Sequence, residues 1–237
     1  MGAPGSANEH WARSLAARFI PGEPFRWELY DLRLREALRG AELWLDLGAG
    51  DADSILENAG LATGVGVDLI PPSAHPDRYV VADILALPFR NGSAGAVALR
   101  FVAEHLSSPQ NAWAECARVL RPGGKLLILT TNTHSPLVAA ARLIPENLKR
   151  RLISRLYRVP SGAVLKVFHR WNTPARFQDA PPGFRLERLE MTEALDWSRR
   201  WLFRLLLALA FITRGPALRR FRSNILALYV RQEDAES

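Results

Sequence analysis

The stretch Leu-Trp-Leu-Asp-Leu-Gly-Ala-Gly-Asp-Ala-Asp-Ser at 43–54 constrains the fold more than any other part of the chain. A short apolar run, Leu43–Leu47, breaks at a double-glycine turn and leads into a segment that can open a helix. Gly48 and Gly50 can take dihedrals that a Cβ forbids, and they let the backbone approach a ligand closely. Asp46, near the strand end, can anchor the turn or meet a cationic group.

From 43 to 131 short β-rich apolar runs alternate with helical stretches, the pattern of a parallel sheet covered by helices. Strands are expected at 43–47, 64–68, 79–82, 94–101 and 125–131. Residues 110–120 form a helix, with Ala112, Trp113, Cys116, Ala117 and Leu120 at helical spacing. That helix stops at Arg121-Pro122-Gly123-Gly124. Before this core, 25–39 reads as an amphipathic helix near the mouth of the sheet. After it come helical residues 136–158, broken at Pro145, then two further strands at 184–191 and 224–230. A helical insertion at 194–222 separates those strands. The expected organisation is an N-terminal helical segment (1–40), a ligand-binding core (41–135) and an acceptor side (136–237).

Charge separates two kinds of nucleotide ligand. A dinucleotide fingerprint places a third glycine where this chain has Asp53, and carboxylates at 51 and 53 repel a pyrophosphate. They suit a ligand bearing a sulfonium and an amino group, although both also serve as plain helix-start residues. Val65-Gly66-Val67-Asp68 ends the second strand in a carboxylate suited to both hydroxyls of a ribose. Val81-Ala82-Asp83-Ile84 ends the third, with Asp83 placed to accept from an adenine amine and Ile84 to pack on the ring.

The ordered set LDLGAG, GVDL, ADILALPF, AEHL and RVLRPGGKLLI resembles the successive motifs of class I methyltransferases, the type 11 group, over about residues 40–131. The resemblance implies an α/β, Rossmann-like fold with a seven-stranded, mostly parallel sheet, one reversed strand and helices on both faces. It implies S-adenosylmethionine as cofactor, with Asp46, Gly48 and Gly50 along the methionine part, Asp68 on the ribose, and Asp83 and Ile84 at the adenine. Arg100 stands where the family contacts cofactor or acceptor. Two departures stand out: Gly95 replaces the usual aspartate opening the fourth strand, and Arg100 replaces a small residue. Glu104 and His105 offer acid–base groups at a position where structural roles are commoner, so no catalytic residue is assigned. His134 and His169 are further candidates on the acceptor side.

Cys116 is the only cysteine, which excludes an intramolecular disulfide. The N-terminal stretch lacks the apolar core of a secretory signal, so a cytoplasmic chain is expected. The formal charge of +7 is uneven: 12 Lys+Arg against 15 Asp+Glu in residues 1–139, and 19 against 9 thereafter. The apolar run 205–212 is too short to span a bilayer. Placed on a helix, Arg199, Arg200 and Arg204 share one side, and Trp197, Trp201, Leu205, Ala208 and Ile212 the other. That suits a helix lying in an anionic membrane interface, or alternatively a core helix or dimer seam. With the basic stretch Lys149, Arg150, Arg151, Arg155 and Arg158, it favours a small or lipid-like acceptor such as a quinone precursor or glycolipid. RNA methylation and a non-catalytic cofactor-binding protein are the alternatives. The basic half carries no recognisable RNA-binding module, which argues against nucleic acid.

Overall fold

A computed structural model describes residues 6–73, 76–145, 148 and 166–233. The basic stretch at 149–158 therefore lies outside the described residues. Seven strands form one sheet: β1 (Leu43–Leu47), β2 (Thr63–Asp68), β3 (Tyr79–Val81), β4 (Ala94–Arg100), β5 (Leu120–Thr131), β6 (Phe184–Thr192) and β7 (Asn224–Arg231). Their order across the sheet is β3-β2-β1-β4-β5-β7-β6. Only β7 is reversed, antiparallel to both β5 and β6. The order turns back between β1 and β4, and in open sheets of this kind the crevice at the carboxyl ends beside such a switch receives the ligand.

Alternation of side chains builds two cores. On one face Leu45, Leu47, Val97, Leu99, Leu126, Ile128, Ile225 and Tyr229 are buried beneath α4 (Pro109–Val119) and α6 (Pro174–Gln178). On the other, Trp44, Ala96, Ala98, Leu127, Leu129, Leu226 and Leu228 pack under Tyr30, Leu34, Ala37 and Leu38 of α2 (Arg26–Leu38). The expected amphipathic helix at 25–39 thus covers a sheet face, and only its first turn reaches the mouth, where Trp27 meets Phe101 edge-on. Gly95 is also accounted for, because a Cβ there would sit 2.8 Å from the Ala41 backbone that follows α2. The departure from the family pattern is therefore a close approach that no side chain fits.

Boundaries shift where tertiary contact overrides local signals. The fifth strand begins at Leu120, not at 125: Leu120 pairs beside Ala94 and Lys125 beside Ala96, with Arg121 to Gly124 forming an irregularity between them. Burial of Leu120 draws the chain back into the sheet ahead of the glycines. The crossover helix after β1 is a single turn, α3 (Asp53–Glu57). α5 (Pro136–Arg142) follows β5.

The insertion at 194–222 contains α7 (Arg200–Ile212) and a 3-10 turn at Arg219–Phe221. Trp197 and Arg199 precede the helix and share no face of it, and Trp197 is buried. The buried side of α7 is Phe203, Leu206, Leu207 and Ala210, packed on Ala12, Ala16, Ile20 and Phe25 of the N-terminal region. The first helix, α1 (Ala7–Phe19), is started by the Ser6 side chain, which accepts from Glu9 N–H. Among the described residues no helix is long and apolar enough to cross a membrane. Phe203 is fully buried and meets the Trp11 ring at 5.4 Å. Phe203→Ala is expected to cost about 3–5 kcal/mol in urea unfolding; a loss under about 1 kcal/mol would show that this cluster does not hold α1 to α7.

Candidate cofactor site

The turn after β1 shapes the floor of the site. Gly48 has φ +77°, its N–H donates to Val67 O at 2.7 Å, and a Cβ on it would lie 2.2 Å from Val102 Cγ2. Gly50 donates its N–H to Asp68 Oδ2 at 3.1 Å, and Leu69 N–H donates to Asp68 Oδ1 at 2.7 Å. The Asp68 carboxylate is thus fixed at the end of β2, with acceptor capacity left on both oxygens. Asp83 Oδ1 accepts from Leu85 N–H at 2.9 Å, which orients the carboxylate beyond β3.

Gly48, Asp68, Asp83, Ile84, Arg100 and His105 line one cavity of about 330 Å³ at the carboxyl ends of β1 to β4. Asp46 and Gly50 do not line it; Asp46, in β1 two residues before Gly48, is 1% exposed, with Oδ2 unpartnered. Burial pushes its carboxyl up to about 6 against the pull of the Arg100 charge, and Asp68 adds to the rise. The Tyr30 hydroxyl is likewise buried and unpartnered, and its pKa is raised by burial and by the Asp46 charge. Arg100 lies over the rings of Trp27 (5.6 Å) and Tyr30 (5.8 Å). Flat aromatic faces hold the guanidinium without neutralising it. Phe101 next to it has φ +58°, an unusual left-handed conformation for a bulky side chain, fixed by N–H donation to Leu129 O at 2.8 Å.

Other expected groups fall outside the cavity lining. Asp51 accepts from Ser73 N–H at 3.0 Å, and Asp53 opens α3, so neither carboxylate lines it. Glu104 is buried, accepts from Thr130 Oγ1 at 2.6 Å, and has its pKa raised by burial. It is a structural group: its carbonyl also receives Phe168 and His169 N–H, tying the loop after 165 to the turn Ala103–His105. His105 Nδ1 lies 2.7 Å from Lys166 O, so the ring donates through Nδ1 and leaves Nε2 as an acceptor. His134 is exposed, and His169 lies 3.5 Å from Thr131 Oγ1.

Trp27, Tyr30, Phe101, Val102 and Leu106 complete the surroundings, and sequence reasoning missed them. Trp27 and Tyr30, three apart on α2, were the visible signal. The donor set fits S-adenosylmethionine: fixed carboxylates at the ends of β2 and β3, apolar Ile84 and Leu85 beside Asp83, and an orphaned buried carboxylate at Asp46 suited to a cationic ligand. The carboxylates at 68 and 83 would repel a pyrophosphate.

A seven-stranded, Rossmann-like sheet with this crevice defines a class of cofactor-binding fold. Residues 45–128 match the family model described as a methyltransferase domain, so this stretch is similar to the type 11 group of class I S-adenosylmethionine-dependent methyltransferases. It is 35% identical over 124 residues to the demethylmenaquinone methyltransferase of Thermus thermophilus, covering 46% of this chain and 55% of the relative. It is 29% identical over 109 residues to the ubiquinone/menaquinone biosynthesis C-methyltransferase UbiE of a Ruegeria species, covering 39% and 44%. The chain spans about half the length of the curated relatives it matches. The solved structure of a putative S-adenosylmethionine dependent methyltransferase from Listeria monocytogenes shares the fold, with TM-score 0.59, 13% identity, and coverage of 86% of this chain and 99% of that one.

The Asp46 carboxyl has a folded pKa above its unfolded value, so its burial as an anion costs stability at neutral pH, and the fold regains that stability as pH falls through about 6. A cationic ligand needs the opposite, ionised form. S-adenosylmethionine affinity should therefore be flat at neutral pH and weaken by up to about tenfold per unit below pH 6, a dependence that Asp46→Asn abolishes. Calorimetric titration against pH reads this directly, and a flat profile in the wild type would remove Asp46 as the counter-charge.

Proposed function

We propose that the chain transfers a methyl group from S-adenosylmethionine to a small, lipid-like acceptor of the quinone type. The observation that supports the reading most strongly is the coincidence of the acidic crevice with the stretch similar to demethylmenaquinone methyltransferases. In this reading Asp68 accepts from the ribose hydroxyls, Asp83 and Ile84 hold the adenine, and Asp46, Gly48 and Gly50 surround the methionine part. The turn at Gly48 keeps the backbone close, because any side chain there collides with Val102.

Bound in this crevice, S-adenosylmethionine supplies an electrophilic methyl, the acceptor's electron pair forming the new bond while sulfur keeps the pair of the old one. The protein's work is alignment and charge. A reduced quinone ring would become a carbon nucleophile as its hydroxyl loses a proton to His105; once carbon carries the methyl, its own proton would pass to water as aromaticity returns, and His105 would give its proton back to the oxygen. Arg100, held over Trp27 and Tyr30, stabilises the phenolate that develops. His105, its Nδ1–H committed to the Lys166 carbonyl, takes the proton on Nε2.

The test is transfer of a labelled methyl from S-adenosylmethionine to demethylated isoprenoid naphthoquinols and benzoquinols. The wild type is expected to turn over at least one of them, and His105→Ala to lower kcat by roughly 100-fold or more. Absence of transfer to every quinol by a protein that still binds the cofactor would contradict the acceptor class.

A further inference from the structure

We infer that the face shared by α1 and α7 is a seat for an anionic lipid surface. All positions of α7 are apolar except Arg200 and Arg204, and a helix that is apolar all round ordinarily lies buried. Here only one side is. Trp201 is 60% exposed, Leu205 46% and Ile212 59%, and Phe19 of α1 adds 41% beside them. Between the two helices runs a cleft of about 530 Å³ lined by Leu15, Phe19, Leu207, Phe211 and Ile212 with Arg204. Its size and apolar walls suit acyl chains.

The charge around this cleft selects the occupant. From 199 to 222 there are seven arginines and no acidic residue. Arg222 is paired with Glu23. Among the described residues, Arg18, Arg200, Arg204, Arg214, Arg219 and Arg220 meet no carboxylate. Several are instead stacked on rings of the same face: Arg204 over Trp11 at 5.5 Å, Arg214 over Phe211 at 4.3 Å and Arg220 over Phe221 at 4.9 Å. Arg33 with Glu190 and Arg118 with Glu115 are, by contrast, ion-paired. A second copy meeting this face through a two-fold axis would set arginine against arginine. A bilayer of anionic lipids offers phosphates to the arginines, acyl chains to the cleft, and an interfacial depth suited to Trp201.

The position of the face gives it a purpose, and this part rests on the lipid-like acceptor proposed above. The insertion leaves β6 at Thr192 and re-enters β7 at Asn224, and both are in register with one another and with Thr131 at the end of β5. It therefore rises from the same edge of the sheet as Gly48, Asp68 and Arg100. A membrane-borne acceptor would meet the protein on the edge where the cofactor cavity lies.

The experiment is co-sedimentation of the full chain with vesicles of equal phosphatidylglycerol and phosphatidylcholine, and with phosphatidylcholine alone, without acceptor. Binding is expected to the mixed vesicles only, and to weaken with salt. Arg204→Ala with Arg214→Ala should lower it roughly 20-fold, and Leu205→Glu with Ile212→Glu should abolish it, each variant keeping wild-type cofactor affinity. If the double glutamate variant fails to fold, Trp201→Ala probes the same contact at an exposed position, with an expected loss of several-fold. No sedimentation with mixed vesicles at low salt, or binding unchanged in the variants that fold, overturns the inference. So does light scattering that shows a dimer which Trp201→Ala splits, or retention of RNA in preference to vesicles. Failed methyl transfer with intact vesicle binding would instead sink the acceptor reading and leave the lipid seat standing.

Discussion

The turn at Gly48 is the constraint on which the rest depends. A positive φ lets the chain leave β1 and bond back to Val67 O, while the missing Cβ leaves room for Val102. Because Val102 follows β4, the turn locks the two strands that flank the reversal of sheet order. Gly50 then lies within reach of Asp68, so the second strand's carboxylate is held by backbone donors from the first turn. Three strand ends are thereby set around one crevice.

The electrostatics of that crevice follow from what is left unsatisfied. Asp46 is buried with a free oxygen, the Tyr30 hydroxyl is buried near it, and Arg100, whose charge acts on Asp46, is held against aromatic faces. A buried carboxylate with no partner is costly unless a ligand completes it. A sulfonium or ammonium does so, and a phosphate does not. The same economy of charge reappears on α7, where arginines without carboxylates border apolar side chains that the fold leaves uncovered.

Much of the sheet was legible because strands such as β1, apolar but for Asp46, and β4 are short apolar runs closed by turn residues, and a buried parallel strand needs little else. The start of β5 was not, since Pro122 and the two glycines signal a stop locally while the burial of Leu120 is decided by its neighbours across the sheet. That the carboxylates at 68 and 83 would share one cavity could be read because Asp68 ends β2 and Asp83 lies just past β3. Asp51 and Asp53 were open to two readings, ligand-facing or helix-start, and the helix-start reading fits Asp53: Ala52, at φ +62°, sets the start of a one-turn helix that Asp53 opens, while Asp51 accepts from Ser73 N–H. The partners of Arg100 and His105 were invisible because Trp27, Tyr30 and Lys166 arrive from distant parts of the chain. Helical periodicity alone likewise could not say which side of α7 would be covered, since the answer lies in α1 at the other end of the sequence.

The central claim is that the crevice takes a cationic sulfonium nucleoside through Asp68. Its most direct test is calorimetric titration of the wild type and Asp68→Ala with S-adenosylmethionine, S-adenosylhomocysteine and NADH. The account predicts binding of the first two by the wild type, a loss of at least about 30-fold in the variant as two charge-assisted hydrogen bonds disappear, and no binding of NADH. Binding of NADH in preference to S-adenosylmethionine, or S-adenosylmethionine affinity unchanged by Asp68→Ala, would contradict it.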